Sequence, residues 1–359
     1  MAINLATKYE KEIAKVFTLK SKVDGNVNRD YDFTGVKSIK VYTPITQPLN
    51  DYKRTGTNRY GEPQELQDTI QEMELKKDKA FSITIDKGNN SEQMGVKEAA
   101  KMLTLEIDEQ VLPEIDKYTL GKYIDYAGKI DALTAAPTKS TICEKVSDGM
   151  VYLSNKKVPD DNRYIYIGWS YFGMLRLANQ FIEIDKLGEN ALVHGSLGTF
   201  MGAQVIPVPD DYLKKGSSQC YFLIFHKNSV LQPKKIQDYF VKENPAGING
   251  ALLEGRFIYD AFVLGARADG VYAAVAASTA QATPTFAYNS GVLTITSAGA
   301  TEVRVTIDGS DPRFSSTAIV TTTGGTVTLP SGKHKAKAVA FDDALFTSAV
   351  GEDEERTVT

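Results

Sequence analysis

The side-chain pattern of this chain changes once, near residue 280, and that change limits what the chain can fold into. From Thr285 onward apolar and polar residues alternate with period two: TFAY at 285, VLTITS at 292, EVRVTI at 302, TAIV at 317, GTVTL at 325, KAKAVAF at 335 and LFTSAV at 345. Such alternation lays one side of a strand on a core and leaves the other in water, as Val303, Val305 and Ile307 do against Arg304 and Thr306. About seven short strands with turn signals such as Asn289-Ser290-Gly291, Asp308-Gly309 and Gly324-Gly325 predict a small β-sandwich. Just before it, Val271 to Pro284 reads VYAAVAASTAQATP, and these small residues are expected to form a linker or a fraying last strand.

The preceding residues mix two periods. Leu5, Tyr9, Ile13, Val16 and Phe17 fall on one face of an N-terminal helix, which is followed by a polar stretch without periodicity. VKSIKVYT at 36, TIQEMEL at 69 and AFSITID at 80 read as strands, the last two joined by the charged turn Lys76-Lys77-Asp78-Lys79. The polar, basic loop DYKRTGTNRYGEP lies between, at 51. Ser91 caps a long helical pattern whose stripe is Val96, Ala100, Leu103, Ile107 and Val111, and Pro113 is expected to kink or restart it. Ile142, Val146, Met150 and Leu153 mark another helix, and SYFGMLRLANQF at 170 a third. Strands are expected at RYIYIGW 163, FMGAQVIPVP 200, QCYFLIFH 219, YFVKE 239 and FIYDAFVLGA 257. Strands and helices do not alternate regularly, so the class is α+β and not doubly wound.

The chain has 359 residues, more than the ~250–300 at which one hydrophobic core stops growing, which fits a large domain with something appended. Hydrophobic residues make up 42% and charged ones 24%, a globular composition that excludes wholesale disorder. Asp and Glu number 45 against 41 Lys and Arg, a net charge of −4. Nine acids and six bases fall in residues 278–359, so that segment carries −3 and the first 277 residues carry −1. No run approaches the ~20 apolar residues of a membrane helix, and no basic-then-apolar leader opens the chain, so synthesis in a cytosol is expected. Cys143 and Cys220, in apolar surroundings, are expected to be reduced core residues.

Chemistry finds little support. His194, His226 and His334 are not spaced as metal ligands, which leaves them structural and predicts no zinc site. The glycines between Gly195 and Gly202 precede a strand and lack a following Lys-Ser/Thr, so a turn is expected there and not a phosphate cradle. Asp308 and Asp311 could face a calcium ion, but an Asx-capped β-turn needs the same residues and is the reading adopted. No pair of carboxylates stands in an apolar setting suited to acid catalysis, and no cofactor is expected. Residues 1–90 look instead like limbs that need neighbours, since a hairpin is marginal alone in water. Their bases Lys53, Arg54, Arg59, Lys76, Lys77 and Lys79 contrast with Glu106, Asp108, Glu109, Glu114 and Asp116 of the long helix. These are either two solvated faces or two halves of a contact.

In the order of its elements the chain resembles the tailed-bacteriophage major capsid protein of the Hong Kong 97 type. The marks are DYKRTGTNRYG at 51, VLPEIDKYTLGK at 111, KKVPDDNRYIYIGWSYFGMLRLA at 156 and FIYDAFVLGARADGVYA at 257. VTIDGSDPRFSS at 305 resembles a bacterial immunoglobulin-like module of the chitobiase C-terminal type, with Val305 where related modules often carry tyrosine. The resemblance implies an α+β capsid core over residues 1–277, an all-β immunoglobulin-like sandwich over 285–359, and a linker at 278–284 between them. Within the core it implies an N-terminal arm (1–35), an extended hairpin loop (36–90), a spine helix (91–128), an axial domain (130–240) and return strands (241–277).

It further implies a non-enzymatic shell protein of the virion, assembled in the bacterial host cytoplasm as homo-hexamers and homo-pentamers of an icosahedral head. The implied partners are a separate scaffolding protein, a portal and weakly touched double-stranded DNA, with room for weak glycan contact through the module and no membrane. Lys76, Lys77 and Lys79 are expected to pair with acids of an adjacent subunit's spine helix, among them Glu106, Asp108 and Glu109. The module is expected to decorate the outside, and truncation after Ala277 to leave assembly intact. An encapsulin-type compartment shell is the alternative, and a carbohydrate-binding adhesin or an enzyme with this appendage stand behind it.

Overall fold

The computed structural model describes residues 20–31, 33, 37–44, 49–61, 65, 68–92, 99–178 and 198–358. The helix expected at Leu5 to Phe17, and His194, lie outside them. The first part contains β1 (Ser38–Pro44), β2 (Asp68–Glu74), β3 (Lys77–Asp86), α1 (Lys87–Glu92), α2 (Ala99–Glu106), a π turn (Ile107–Val111) and α3 (Leu112–Asp125). Next come β4 (Lys129–Leu133), α4 (Ile142–Asn155), β5 (Arg163–Gly168), α5 (Trp169–Arg176), β6 (Thr199–Phe200), β7 (Ala203–Val208), β8 (Lys214–Lys215), β9 (Ser218–His226) and β10 (Val230–Leu231). The long strands β11 (Lys234–Glu243) and β12 (Gly250–Tyr259) follow, then β13 (Phe262–Val263) and β14 (Val271–Ala276).

The core is built on β9, whose run SQCYFLIFH is buried almost throughout, as a strand covered on both faces must be. Around it the sheet order is β4-β14-β9-β5-β7-β6, with β8 paired to β9 off this path. Alternate residues go to opposite faces. Leu223 and Phe225 join Tyr166, Val275 and the α3 residues Leu120, Tyr123 and Ile124, whereas Phe222 and Ile224 join Ile165, Tyr272 and the α4 residues Val146, Met150 and Leu153. Cys143 and Cys220 are buried in these two clusters, and neither is in a disulfide.

Val271–Ala276 is neither linker nor frayed edge. Every residue of β14 is buried, and the strand lies between β4, to which it is parallel, and β9, to which it is antiparallel. Its alanines are small because both faces are covered, one by the cluster containing α3 and the other by that containing α4.

The limb also departs from expectation. β2 pairs with β1, from Ser38↔Glu74 to Pro44↔Asp68, and not with β3. Lys77 and Lys79 belong to β3, which pairs with β12 along ten residues to make the three-stranded sheet β11-β12-β3. What redirects the chain is burial: Met73 and Leu75 pack with Phe33, Leu231 and Leu264, and the Lys76 N–H donates to Asp260 Oδ2 at 2.9 Å.

In the long helix, Leu112 N–H reaches back five residues to Ile107 O in the π turn, immediately before Pro113, which has no N–H to give. Seven α3 residues are buried, among them Ile115, Leu120 and Ile124, but none of α2 is, and Ala100 is exposed. The three-stranded sheet packs Phe81, Phe257 and Tyr259 against Ile107, Val111 and Ile115.

The last part holds seven strands: β15 (Thr285–Asn289), β16 (Val292–Thr296), β17 (Glu302–Thr306), β18 (Ile319–Thr321), β19 (Gly325–Thr328), β20 (Gly332–Phe341) and β21 (Gly351–Val358). They form two antiparallel sheets, β15-β16-β19 and β18-β17-β20-β21, sharing a cluster of Leu293, Ile295 and Val327 with Val303, Val305, Ala336, Ala338 and Ala340. The seventh strand is GEDEERTV and not LFTSAV, because Phe346 is drawn out of the strand pattern into the core cluster around α3. Three acids of β21 lie beside bases: Glu352 is 3.0 Å from Lys335 and 3.1 Å from Lys337, Asp353 is 2.6 Å from Arg356, and Glu355 is 3.7 Å from Lys333.

A Cβ at Gly128, between α3 and β4, would collide with the Ala268 carbonyl that accepts its N–H at 3.0 Å. Gly128→Ala is expected to destabilise the protein by roughly 2 kcal/mol, read as a lower urea midpoint at unchanged slope.

Candidate inter-subunit surfaces

The limb has a fixed root and a bare tip. At the root Gln71 Nε2 donates to Val263 O at 2.9 Å while its Oε1 accepts Gly265 N–H at 2.7 Å. Asp260, buried, accepts from Lys76 N–H (2.9 Å), Tyr118 Oη–H (2.8 Å) and Ala261 N–H (2.8 Å). Burial, then the charge of Asp260, raises the Tyr118 pKa far above its ordinary value, so the phenol stays a donor. At the tip Tyr52 and Tyr60 meet edge to face at 5.1 Å, and Lys53 N–H donates to Arg59 O at 2.9 Å. Tyr60 is 84% exposed and Tyr42, on β1, 61%. A two-stranded ladder carrying exposed aromatics is marginal by itself and suits contact with another surface.

The structure places the six expected contact residues as follows. Lys76 is exposed at the limb root, Lys77 Nζ lies 5.0 Å from the centre of the Tyr118 ring, and Lys79 Nζ lies 4.0 Å from Glu114 Oε1 of its own chain. Lys79 and Glu106 share a cleft of about 200 Å³ floored by Phe81, Val111, Ile115 and Phe257. Asp108 and Glu109 sit in the π turn. Among the described residues Glu106, Asp108 and Glu109 have no ion-pair partner, and Glu109 Oε1 is buried without a hydrogen bond. Between the lysines, Asp78 is held by both arms of Arg256 at 3.0 and 2.6 Å, and that bond keeps its carboxyl below the ordinary range.

The sequence set Asp116 among the acids of a solvated or contact face, and it passed over Asp125 and Asp260, but all three are buried. Asp116 accepts Ser21 Oγ–H at 2.7 Å and Lys22 N–H at 2.8 Å, fastening residues 20–28 along α3, and burial raises its pKa. The strap is completed by Lys234 to Asp24 at 2.7 Å and by Tyr166 Oη–H to Lys22 O at 2.7 Å. The signal available was an acid on the apolar stripe of Leu120, Tyr123 and Ile124.

The remaining candidates for chemistry are structural. Among the described residues no three His, Cys, Asp or Glu converge as a metal site, and no helix is long and apolar enough to cross a membrane. Asp308 Oδ1 accepts Ser310 N–H at 3.0 Å, and Asp311 is paired with Arg313 at 2.6 Å, as a turn requires. His334 Nε2 lies 2.9 Å from Pro330 O. His226 Nδ1 accepts Asn228 N–H at 3.2 Å, and burial holds its pKa below the ordinary 6.5 despite Asp161. The unfolded chain therefore takes up that proton first as the pH falls, and stability is lost below about pH 6.5. His226→Asn, whose Oδ1 can replace Nδ1, is expected to flatten the fall in urea midpoint between about pH 6.5 and 5.

No protein-family model matches the chain, and no curated protein is similar to it in sequence. Solved structures are similar to it in fold. A chain of Mycobacterium phage Che8 superposes with a TM-score of 0.63 at 16% identity, over 76% of this chain and 98% of that one. The capsid structure of cyanophage P-SCSP1u gives 0.62 at 13%, over 76% and 93%. The head structure of Helicobacter pylori bacteriophage KHP40 gives 0.57 at 11%, over 77% and 97%. The chain has the α+β fold of phage capsid proteins.

Proposed function

We propose that this chain is a major capsid protein, acting by association and not by catalysis. The observation that carries the reading is the fold likeness, which spans nearly the whole of the phage chains and 76% of this one. That share is close to 277 of 359 residues, the core without its C-terminal sandwich. Copies would form hexamers and pentamers of an icosahedral head, built in the host cytoplasm with a separate scaffold and a portal. The limb would lie over a neighbour's spine helix, residues 130–240 would converge on the capsomer axis, and the immunoglobulin-like sandwich would lie toward the outside. A core at −1 suits a wall that faces packed DNA without gripping phosphate. The several modest interfaces per subunit add up in a closed shell.

Lys76, Lys77 and Lys79 are proposed to face Glu106, Asp108 and Glu109 of the adjacent copy. Support comes from those three acids having no ion-pair partner among the described residues of their own chain, although Lys77 and Lys79 already have neighbours there. Reversing the lysines to glutamate is expected to abolish particles in electron micrographs, and reversing the three acids to lysine in the same chain to restore them. Normal assembly of the lysine-reversed chain would remove the pairing from the reading. Expression with and without a scaffold tests the reading as a whole, with closed shells as the expected outcome. Nuclease-protected DNA in mature particles separates a phage head from an encapsulin-type compartment, which would hold protein cargo instead.

A further inference from the structure

The geometry points to the C-terminal sandwich being a brace that completes the shell subunit, and not an appendage it carries. Two loops of the sandwich reach into the larger domain. The loop between β20 and β21 places Phe346, fully buried, in the cluster formed by α3 and the seven-stranded sheet. The next residue, Thr347, donates its N–H and its hydroxyl to Asp125 Oδ1, each at 3.1 Å, while Lys215 Nζ lies 2.9 Å from Asp125 Oδ2. Asp125 and Lys215 are thus a largely buried ion pair whose donor set is completed from the far side of the chain. Without the sandwich, that carboxylate loses two of its donors, the situation in which a buried pair turns from neutral to costly.

The second loop, between β17 and β18, inserts Arg313, whose side chain is 3% exposed and donates to Ala127 O just past the end of α3. Phe314 packs on the same core cluster and lies 5.9 Å from the Tyr126 ring. The larger domain is shaped to receive both loops. A Cβ on Gly216 would strike the Ala344 carbonyl, and one on Gly265 would strike Phe314. The connecting residues are fixed as well: Ser218 Oγ donates to Thr279 O, Ala280 bridges Phe346, and Gln281 Nε2 bonds Ala298 O at 2.7 Å. None of this is what a tethered decoration needs. Truncation after Ala277 would open the core, contrary to the expectation from pattern alone.

The test uses unassembled full-length subunits, so it is independent of whether the chain forms capsids. Calorimetric unfolding is expected to show one transition. Val305→Ala, inside the sandwich, is expected to lower that shared transition, and Phe346→Ala to lower or split it by about 5–10 °C. Should Phe346→Ala not fold, Phe346→Leu and Thr347→Val are the milder probes, and either is expected to raise amide exchange at the C-terminal turn of α3 and in β14. Two independent transitions in the parent chain, of which Val305→Ala moves one alone, would overturn the inference. So would unchanged exchange in α3 and β14 in both mild variants.

Discussion

A carboxylate taken out of water has to be given donors, and the structure is organised by where three such carboxylates find them. Asp116 and Asp125 lie on α3 itself, and Asp260 reaches α3 through the Tyr118 hydroxyl. Each draws in a different part of the chain. Asp116 takes the backbone and hydroxyl of residues 21–22, Asp260 the Lys76 N–H at the limb root, and Asp125 the Lys215 ammonium with Thr347. Apolar burial holds α3 on the sheet but specifies little about what passes over its other sides, whereas a donor at 2.7–3.1 Å specifies a residue. The helix is therefore a post to which the N-terminal strap, the limb and the sandwich are tied at separate points.

Around this centre the molecule divides into finished and unfinished surfaces. The seven-stranded sheet is covered on both faces and has little left to offer a partner. No residue of α2 is buried, and the limb and the edge strand β11 keep Tyr42, Tyr60, Tyr239 and Phe240 exposed.

How much of this the sequence disclosed depended on whether the decisive partner was near or far along the chain. Period-two alternation in residues 285–341 located six strands well, because half-burial is a local property, and the α4 stripe from Ile142 to Leu153 was readable for the same reason. VYAAVA misled because small residues serve a linker and a strand buried on both faces equally well, and only β4 and β9 decide between them. The turn drawn through Lys76 to Lys79 failed since charge marks exposure, not direction. The partners of β2 and β3 are β1 and β12, the latter more than 160 residues away in sequence. Of the site residues, Lys79 and Glu106 line one cleft of a single chain, whereas the opposite charges were expected to meet between subunits. Asp116 was read as part of a solvated or contact face because a lone Asp on a helical stripe looks like a solvated one until its donors arrive.

The bond from Thr347 to Asp125 spans 222 positions of sequence. In a chain made from its N-terminus, α3 and most of the sheet emerge long before the residue that closes their cluster, and contacts of such separation are slow to form. A partly synthesised chain would present an open core after its limb and α3 were already made. Only a chain that has reached Phe346 and Thr347 closes that cluster, so the core is completed from nearly the last residues made.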